Sequence, residues 1–361
     1  MAATSTSDGV PVVAYLGPQS SYTHQVPTLF HYEIPPWATG LTSHEMAQAA
    51  LNYFEQSEYN YKPVRSIEAI FEAVQSGEAT RGVVPFENST NGAVIFTLEL
   101  LADRHAWFKD VSVCGEAYLD VHHYLLGRTA PASATDSPLI SGTSTPTPTT
   151  PAPLNPRTKP LASLRHVKRI YTHPQAFGQC EAFLGTYLKG VERFEVDSTS
   201  RAAEMVAEDT TRSSVAIASS LAAEIHGLDI LGESIEDRAD NTTRFFVIRK
   251  DVETDDDAIH AAATAEGPTK SLVSFTIDHR EPGTLASALH CFKRYNLNLT
   301  SLNSRPSKLR PFHYIFFVEF WGSRWKDPYK EVDRVLEDLK GHTQSLRWLG
   351  SWEDQLRMKE M

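Results

Sequence analysis

Little in this chain is arranged for cross-linking, membrane insertion or nucleic-acid binding. Its three cysteines, Cys114, Cys180 and Cys291, are odd in number and far apart. They make no CxxC pair and no disulfide framework, which fits a reducing compartment. No stretch approaches the run of ~18 apolar residues that a membrane helix needs. The opening residues, MAATSTSDGV, have neither a basic start nor an apolar core and lack the Arg-rich character of an import signal, so a cytoplasmic location is expected. Positive charge is in short supply: 34 Lys and Arg stand against 45 Asp and Glu, a net charge of −11. That balance disfavours nucleic acid, whose phosphates call for clustered cations. It also repels small anions, so an anion site has to be built locally, from an Arg or from helix N-termini. Histidine is plentiful at 14 residues, yet there is no HExxH, and His122 and His123 would face opposite ways on a strand. No metal site is expected. A GxSxG elbow, a Walker loop and a GxGxxG turn are all missing. Cys180 lies three and four residues from Phe177 and Ala176, a packing pattern rather than a nucleophile's.

What is present is an ordinary soluble composition, 41% hydrophobic and 22% charged, in a chain long enough for two or three domains. Residues 128–163 are crowded with Pro, Thr and Ser and read as a disordered surface insertion. Residues 251–268, acidic and then Ala-rich, read as a linker between a domain at 10–250 and another at 269–361. In the first domain apolar strand-like runs alternate with amphipathic segments. Val12–Leu16 is a strand, followed by a helix from about Ser21. Ile67, Ile70, Phe71 and Val74 mark one helix face, with Gly77 placed to end it. Gly82–Phe86, Arg169–Thr172, Val215–Ala218 and Phe245–Ile248 are strands, and Val94–Leu101 and Leu221–His226 are helices. This alternation predicts an α/β domain with mostly parallel strands. Residues 269–352 predict βαββαβ, the ferredoxin-like split βαβ order.

In open α/β sheets ligands bind beyond the carboxyl ends of strands. The four junctions there are GPQSSYTHQ (17–25), PFENSTNG (85–92), THPQAFGQC (172–180) and ASSLAAE (218–224), all rich in hydroxyls and amides. Each alone reads as helix capping; together they point to a polar cleft. Glu87, directly after a buried strand, is either a helix-dipole partner or an acid/base group. Thr243 and Arg244 stand at the entrance of a core strand, and Arg is the residue that grips a carboxylate with two hydrogen bonds.

Taken in order, these motifs resemble those of the prephenate dehydratase family. GPQSSYTHQ resembles its GPxGTFSxxA, VVPFENSTNGAVIFTLELL its PIENSxxGxVxxTLDLL, and THPQAFGQCEAFL its HPQALxQCxxFL. STSRAAEMVA, VAIASSLAAEIHGL and the signature Asn241-x-Thr243-Arg244-Phe245 complete the series. Residues 269–352 are similar to the ACT regulatory domain, with HREPGTL and NSRP in place of its GALxxxL and ESRP motifs. Ser20-Ser21-Tyr22 replaces the usual Gly-Thr-Phe, Thr284 an Ala, and Asn303 a Glu.

The resemblance implies a two-lobed catalytic domain of the type II periplasmic-binding-protein arrangement, with the chain crossing between lobes twice. It implies loss of water and carbon dioxide from prephenate to give phenylpyruvate, in phenylalanine biosynthesis, without a cofactor. Aromatisation drives the reaction, so the enzyme must hold two carboxylates and assist departure of the C4 hydroxyl. Thr243 would hydrogen-bond that hydroxyl, Arg244 would pair with a substrate carboxylate, and Glu87 is the alternative proton donor. Asn88, Ser89, Gln175, Ser20, Ser21, Asn241 and Phe245 would bind the rest of the substrate. L-phenylalanine is the expected effector. Gly283, Thr284 and Leu285 would face it from one subunit and Asn303, Ser304, Arg305 and Pro306 from a neighbour, in a homodimer or homotetramer. Two alternatives stay open: an arogenate dehydratase, and a non-catalytic two-lobed sensor.

Overall fold

The computed structural model describes residues 10–16, 43–55, 57–129, 155–250, 267–325 and 329–356. The expected helix from about Ser21, the turn bearing Ser20 and Ser21, the centre of the insertion and most of the linker lie outside the described residues.

Lobe 1 comprises β1 (Val12–Leu16), α1 (Ser43–Tyr53), β2 (Asn60–Val64), α2 (Ile67–Ser76), β3 (Arg81–Asn88), β4 (Gly92–Ala93), α3 (Ile95–Ala102) and β5 (Val111–Asp120). Helix α2 shows how local sequence sets the elements. Ser66 caps it by accepting from Ala69 N at 3.0 Å, and Ile67, Ile70, Phe71 and Val74 are fully buried. Gly77, at φ +81°, ends it in a conformation that costs glycine little.

Lobe 2 follows as β6 (Tyr124–Gly127), β7 (Arg169–Thr172), α4 (Pro174–Gln179), α5 (Glu181–Tyr187), β8 (Glu192–Glu195), α6 (Thr199–Glu208), β9 (Ser214–Ala218), α7 (Ser220–His226) and β10 (Asp229–Gly232). The chain then returns to lobe 1 as β11 (Thr242–Lys250). The sheets run β2-β1-β3-β11-β5, with β4 beside β3, and β10-β6-β9-β7-β8.

The expectation of mostly parallel strands does not hold. Strand β1 pairs in parallel with β2 and β3, and β7 with β8 and β9. Strands β4, β5, β6, β10 and β11 all pair antiparallel. The reason is the double crossing. Strands β6 and β11, which bring the chain into lobe 2 and back into lobe 1, run against the helix-linked strands, and β5 and β10 pair only with these two. Strand β4 simply turns back on β3. Where the two crossings meet, Val121 N donates to Asn241 O at 2.7 Å and Ile235 N to His123 O at 2.9 Å.

The C-terminal domain is β12 (Thr269–Thr276), α8 (Thr284–Arg294), β13 (Leu299–Pro306), β14 (Tyr314–Trp321), α9 (Glu331–Lys340) and β15 (Ser345–Glu353). Its antiparallel sheet has the order β13-β14-β12-β15. One face packs its own helices through Val273, Phe275, Val318 and Phe320. The other lies on lobe 1, where Leu272, Phe317, Leu349 and Trp352 share one buried cluster with Phe246, Val113 and Leu98. At Gly350, φ +128°, strand β15 comes so close to β5 that a Cβ would sit 1.9 Å from Val113 O.

Candidate active site

Strand β3 ends at Asn88, and a tight turn follows it. Asn88 Oδ1 accepts from the backbone N–H groups of Thr90 and Asn91, both at 3.0 Å. With the oxygen so engaged, the amide nitrogen points inward. It donates to Asn241 Oδ1 at 2.9 Å and to Thr243 Oγ1 at 3.0 Å. Thr243 is completely buried. Because its oxygen accepts from Asn88, its own hydroxyl hydrogen remains free to be donated elsewhere. Asn241 ties the cluster to the crossing through its carbonyl.

Other expected groups are placed differently. Ser89 staples the ends of β3 and β11: its hydroxyl donates to Asp240 O at 2.8 Å and accepts from Thr242 N at 3.0 Å. Phe245 is fully buried in the core cluster with Val83 and Val247. Thr243 and Arg244 lie inside β11 rather than at its entrance. Side chains alternate along a strand, so Arg244 projects from the opposite face to Thr243. Its Nη2 donates to Glu319 at 2.5 Å and lies 2.8 Å from Glu116 Oε2. The guanidinium lies over the rings of Phe86 and Phe246, 5.3 and 4.9 Å from their centroids. Arg244 is thus engaged by protein carboxylates instead of standing as a clamp beside Thr243. Glu87, half-exposed, is its cross-strand neighbour, with a carboxylate oxygen 3.9 Å from Nη1.

In lobe 2, His173 caps α4 by accepting from Gln175 N at 3.3 Å through Nδ1, which leaves Nε2 as the protonated nitrogen. Burial lowers the imidazole's pKa, against the pull of Asp197 and Glu195. His173 Nε2 and Gln175 Oε1 are both buried without a hydrogen-bond partner, a donor and an acceptor ready for a ligand. At the crossing, Glu236 is buried and accepts from His123 N at 2.9 Å and from Arg157 at 2.8 Å. Arg157 belongs to the segment expected to be a free insertion, so the end of that segment is docked. Neither His173 nor Glu236 was singled out from sequence, although His173 directly precedes the Pro that starts α4. Cys180 is fully buried in the lobe 2 core, where desolvation raises its thiol pKa well above the ordinary value.

A cavity of about 420 Å³ opens in the C-terminal domain, lined by Gly283, Thr284, Leu285 and Ser304 together with His279 and Tyr314. Asn303 and Arg305 alternate to the opposite face of β13 from Ser304. Asn303 donates to Ser301 Oγ at 3.0 Å, and Arg305 Nε to Glu99 Oε1 on α3 at 2.7 Å. Pro306 offers its carbonyl to Arg104 at 2.9 Å. Among the described residues no helix is long and apolar enough to cross a membrane, and no group of three His, Cys, Asp or Glu is placed to hold a metal.

Two α/β lobes joined by a double crossing, with uncharged donors and acceptors gathered beside it, frame a site for a small polar molecule. The chain belongs to the prephenate dehydratase family, whose profile matches residues 42–253. It is 32% identical over 340 residues to a bifunctional chorismate mutase/prephenate dehydratase of Aquifex aeolicus, covering 94% of this chain and 73% of that protein. It is 31% identical over 315 residues to a prephenate dehydratase of Methanocaldococcus jannaschii, covering 87% and 94%. The fold matches a prephenate dehydratase of Arthrobacter aurescens solved with L-Phe, at TM-score 0.66, 24% identity and coverage of 95% and 90%. The reaction is removal of water and carbon dioxide from prephenate.

Proposed function

We propose that Thr243 donates its hydroxyl hydrogen to the departing C4 hydroxyl of prephenate, while Asn88 and Asn241 hold it in place. One observation carries this reading: Asn88, oriented by two backbone N–H groups, donates to Thr243 and leaves the threonine proton unclaimed. An uncharged donor fixed where negative charge develops acts in the transition state more than in the ground state. Glu87, on the other face of the sheet and beside Arg244, is the weaker candidate for proton donor. Gln175 supplies a buried acceptor from lobe 2, and His173 a donor. The turn with Ser20 and Ser21 is assigned to the substrate on the motif resemblance alone. The two lobes close on the substrate in the manner of type II periplasmic binding proteins.

The C-terminal domain is read as an ACT domain and its cavity as an L-phenylalanine site. The effector's carboxylate meets the N–H groups at the start of α8, beside Gly283 and Thr284. Its ring is received by the aromatic side of the cavity, His279 and Tyr314. The phenylalanine complex of the Arthrobacter relative supports this assignment, as does the matching order of strands and helices. Binding there lowers activity by favouring a less active arrangement of the cleft. In this reading the protein is a monofunctional, homo-oligomeric cytoplasmic enzyme of the fungal type. Phenylpyruvate formation, measured with prephenate and with arogenate, each with and without added phenylalanine, tests the whole assignment. Thr243→Ala tests the mechanism: kcat should fall about a hundredfold or more, since one such donor contributes about 2.7–4 kcal/mol. Near-normal turnover would remove Thr243 from the chemistry.

A further inference from the structure

Arg244 is one residue from Thr243 yet reaches into a different part of the molecule. Its partners form a buried cluster across the junction of lobe 1 and the C-terminal domain. Glu116 comes from β5; Lys270, Glu319 and Asp354 come from the C-terminal domain. Lys270 Nζ lies 3.1 Å from Glu116 Oε1 and 3.0 Å from Asp354 Oδ1. Glu319 is itself fixed, its Oε1 accepting from Thr300 Oγ1 at 2.6 Å. All five charged side chains are at least nine-tenths buried. The pairing of β11 with β3 slips between Arg244 and Phe245. The ladder to β3 is therefore broken beside Thr243, and a bulge of this kind re-aims the side chains around it. On the other side the ladder to β5 runs in register from Thr242 to Val247, so it is the β3 side of the strand, where Asn88 meets Thr243, that needs a further support. A guanidinium pinned between two phenylalanine rings and two buried carboxylates supplies it.

We propose that Glu319 of the C-terminal domain is a positioning residue for catalysis, acting through Arg244 on the placement of Thr243. The inference rests on the reading of Thr243 as proton donor. It makes the C-terminal domain part of the support of the active site in the unliganded enzyme, apart from any role in sensing an effector.

The charges indicate which variant is informative. Removing Arg244 would strand buried carboxylates and risk unfolding, because breaking a buried pair from one side costs about 3–5 kcal/mol. Glu319→Gln instead leaves Arg244 and Lys270 facing Glu116 and Asp354, two against two, in a side chain of the same shape. The experiment is a double-mutant cycle in the full chain, with Glu319→Gln, Thr243→Ala and both together, reading kcat and KM for prephenate. Glu319→Gln alone should lower kcat about tenfold and leave KM within about twofold. In the Thr243→Ala background it should lower kcat no further, because the group it positions is gone. Thr300→Val, which removes only the hydrogen bond that orients Glu319, should give the same pattern at about threefold. It serves as the readout if Glu319→Gln does not fold. Additive losses of kcat, a raised KM, or unchanged kcat in the single variants would each overturn the positioning role. Full turnover by Thr243→Ala would instead overturn the reading of Thr243, and this inference with it.

Discussion

Asn88→Asp exchanges an amide for a carboxylate of the same shape and tests the geometry around Thr243 at one atom. The oxygen that accepts from Thr90 and Asn91 is retained. The nitrogen that donates at 3.0 Å to Thr243 and at 2.9 Å to Asn241 Oδ1 becomes an oxygen with no hydrogen to give. At those distances two oxygens require a proton between them, and the Thr243 hydroxyl carries the nearest one. It should therefore turn toward the new carboxylate and away from the substrate. The loss is that of one transition-state donor, about 2.7–4 kcal/mol or 10²–10³ in kcat. A buried negative charge beside an anionic substrate should raise KM as well. Steady-state phenylpyruvate formation separates the two effects, and urea unfolding confirms that the variant is folded. Acidification supplies an internal control: once the carboxyl is protonated it can donate to Thr243 again, so relative activity should recover as pH falls. Turnover within about threefold of the parent, with no such recovery, would refute the assignment of Asn88 as the group that orients Thr243.

Four further outcomes follow from contacts away from the site. Gly350→Ala forces a side chain onto Val113 O at φ +128° and should lower stability by about 3 kcal/mol or more; an unchanged urea midpoint would refute the close docking of β15 on β5. Arg157→Ala should cost about 1–3 kcal/mol, since Glu236 is buried and loses a charged donor. Deletion of residues 130–154 should leave stability and activity largely unchanged, whereas deletion through residue 160 should reproduce the Arg157→Ala loss. Glu99 gives a pH signature: burial opposes its ionisation, but hydrogen bonds from Arg104, Arg305 and Lys308 outweigh it and hold the carboxyl down at about 2. A depressed carboxyl stabilises fully above its ordinary value of 4.5 and loses that contribution as pH falls through about 2. The stability gap between the parent and Glu99→Gln should therefore narrow across that window, and a gap that stays constant would count against the ion pairs.

Much of this was legible in the sequence where one residue's character sufficed. The face of α2 and its glycine stop, the strand at Val215–Ala218 and the C-terminal order of elements follow from periodicity and turn chemistry. The polar turn at Asn88 was visible as a junction. Strands β5, β6 and β10 were not foreseen, because their pairing partners lie far along the chain and only the double crossing brings them together. The carboxylate partners of Arg244 and Arg305 were not legible for a different reason. Arg244 was read from its place before a core strand and Arg305 from its motif, whereas alternation along a strand sends adjacent side chains to opposite faces. Had Phe245–Ile248 been extended back through Thr242, the face of Arg244 would have been plain. The carboxylates that receive it, Glu116 and Glu319, come from distant strands and carry no local signal.

The shared wall of Leu272, Phe317, Leu349 and Trp352 against Phe246 has a thermodynamic consequence. Lobe 2 keeps its apolar side chains to itself, in clusters built only from residues between Leu125 and Ile235. Lobe 1 has no such privacy, since one side of its larger cluster is closed by the C-terminal domain. On heating, the natural units of melting are therefore not the two-lobed region and the C-terminal domain. One transition should take lobe 1 together with the C-terminal domain, and a separate one lobe 2. Scanning calorimetry should resolve two unequal heat-absorption peaks, and Gly350→Ala should move only the larger. In a protein whose cooperative blocks are arranged this way, losing the C-terminal domain should also loosen lobe 1, the lobe that carries Asn88 and Thr243.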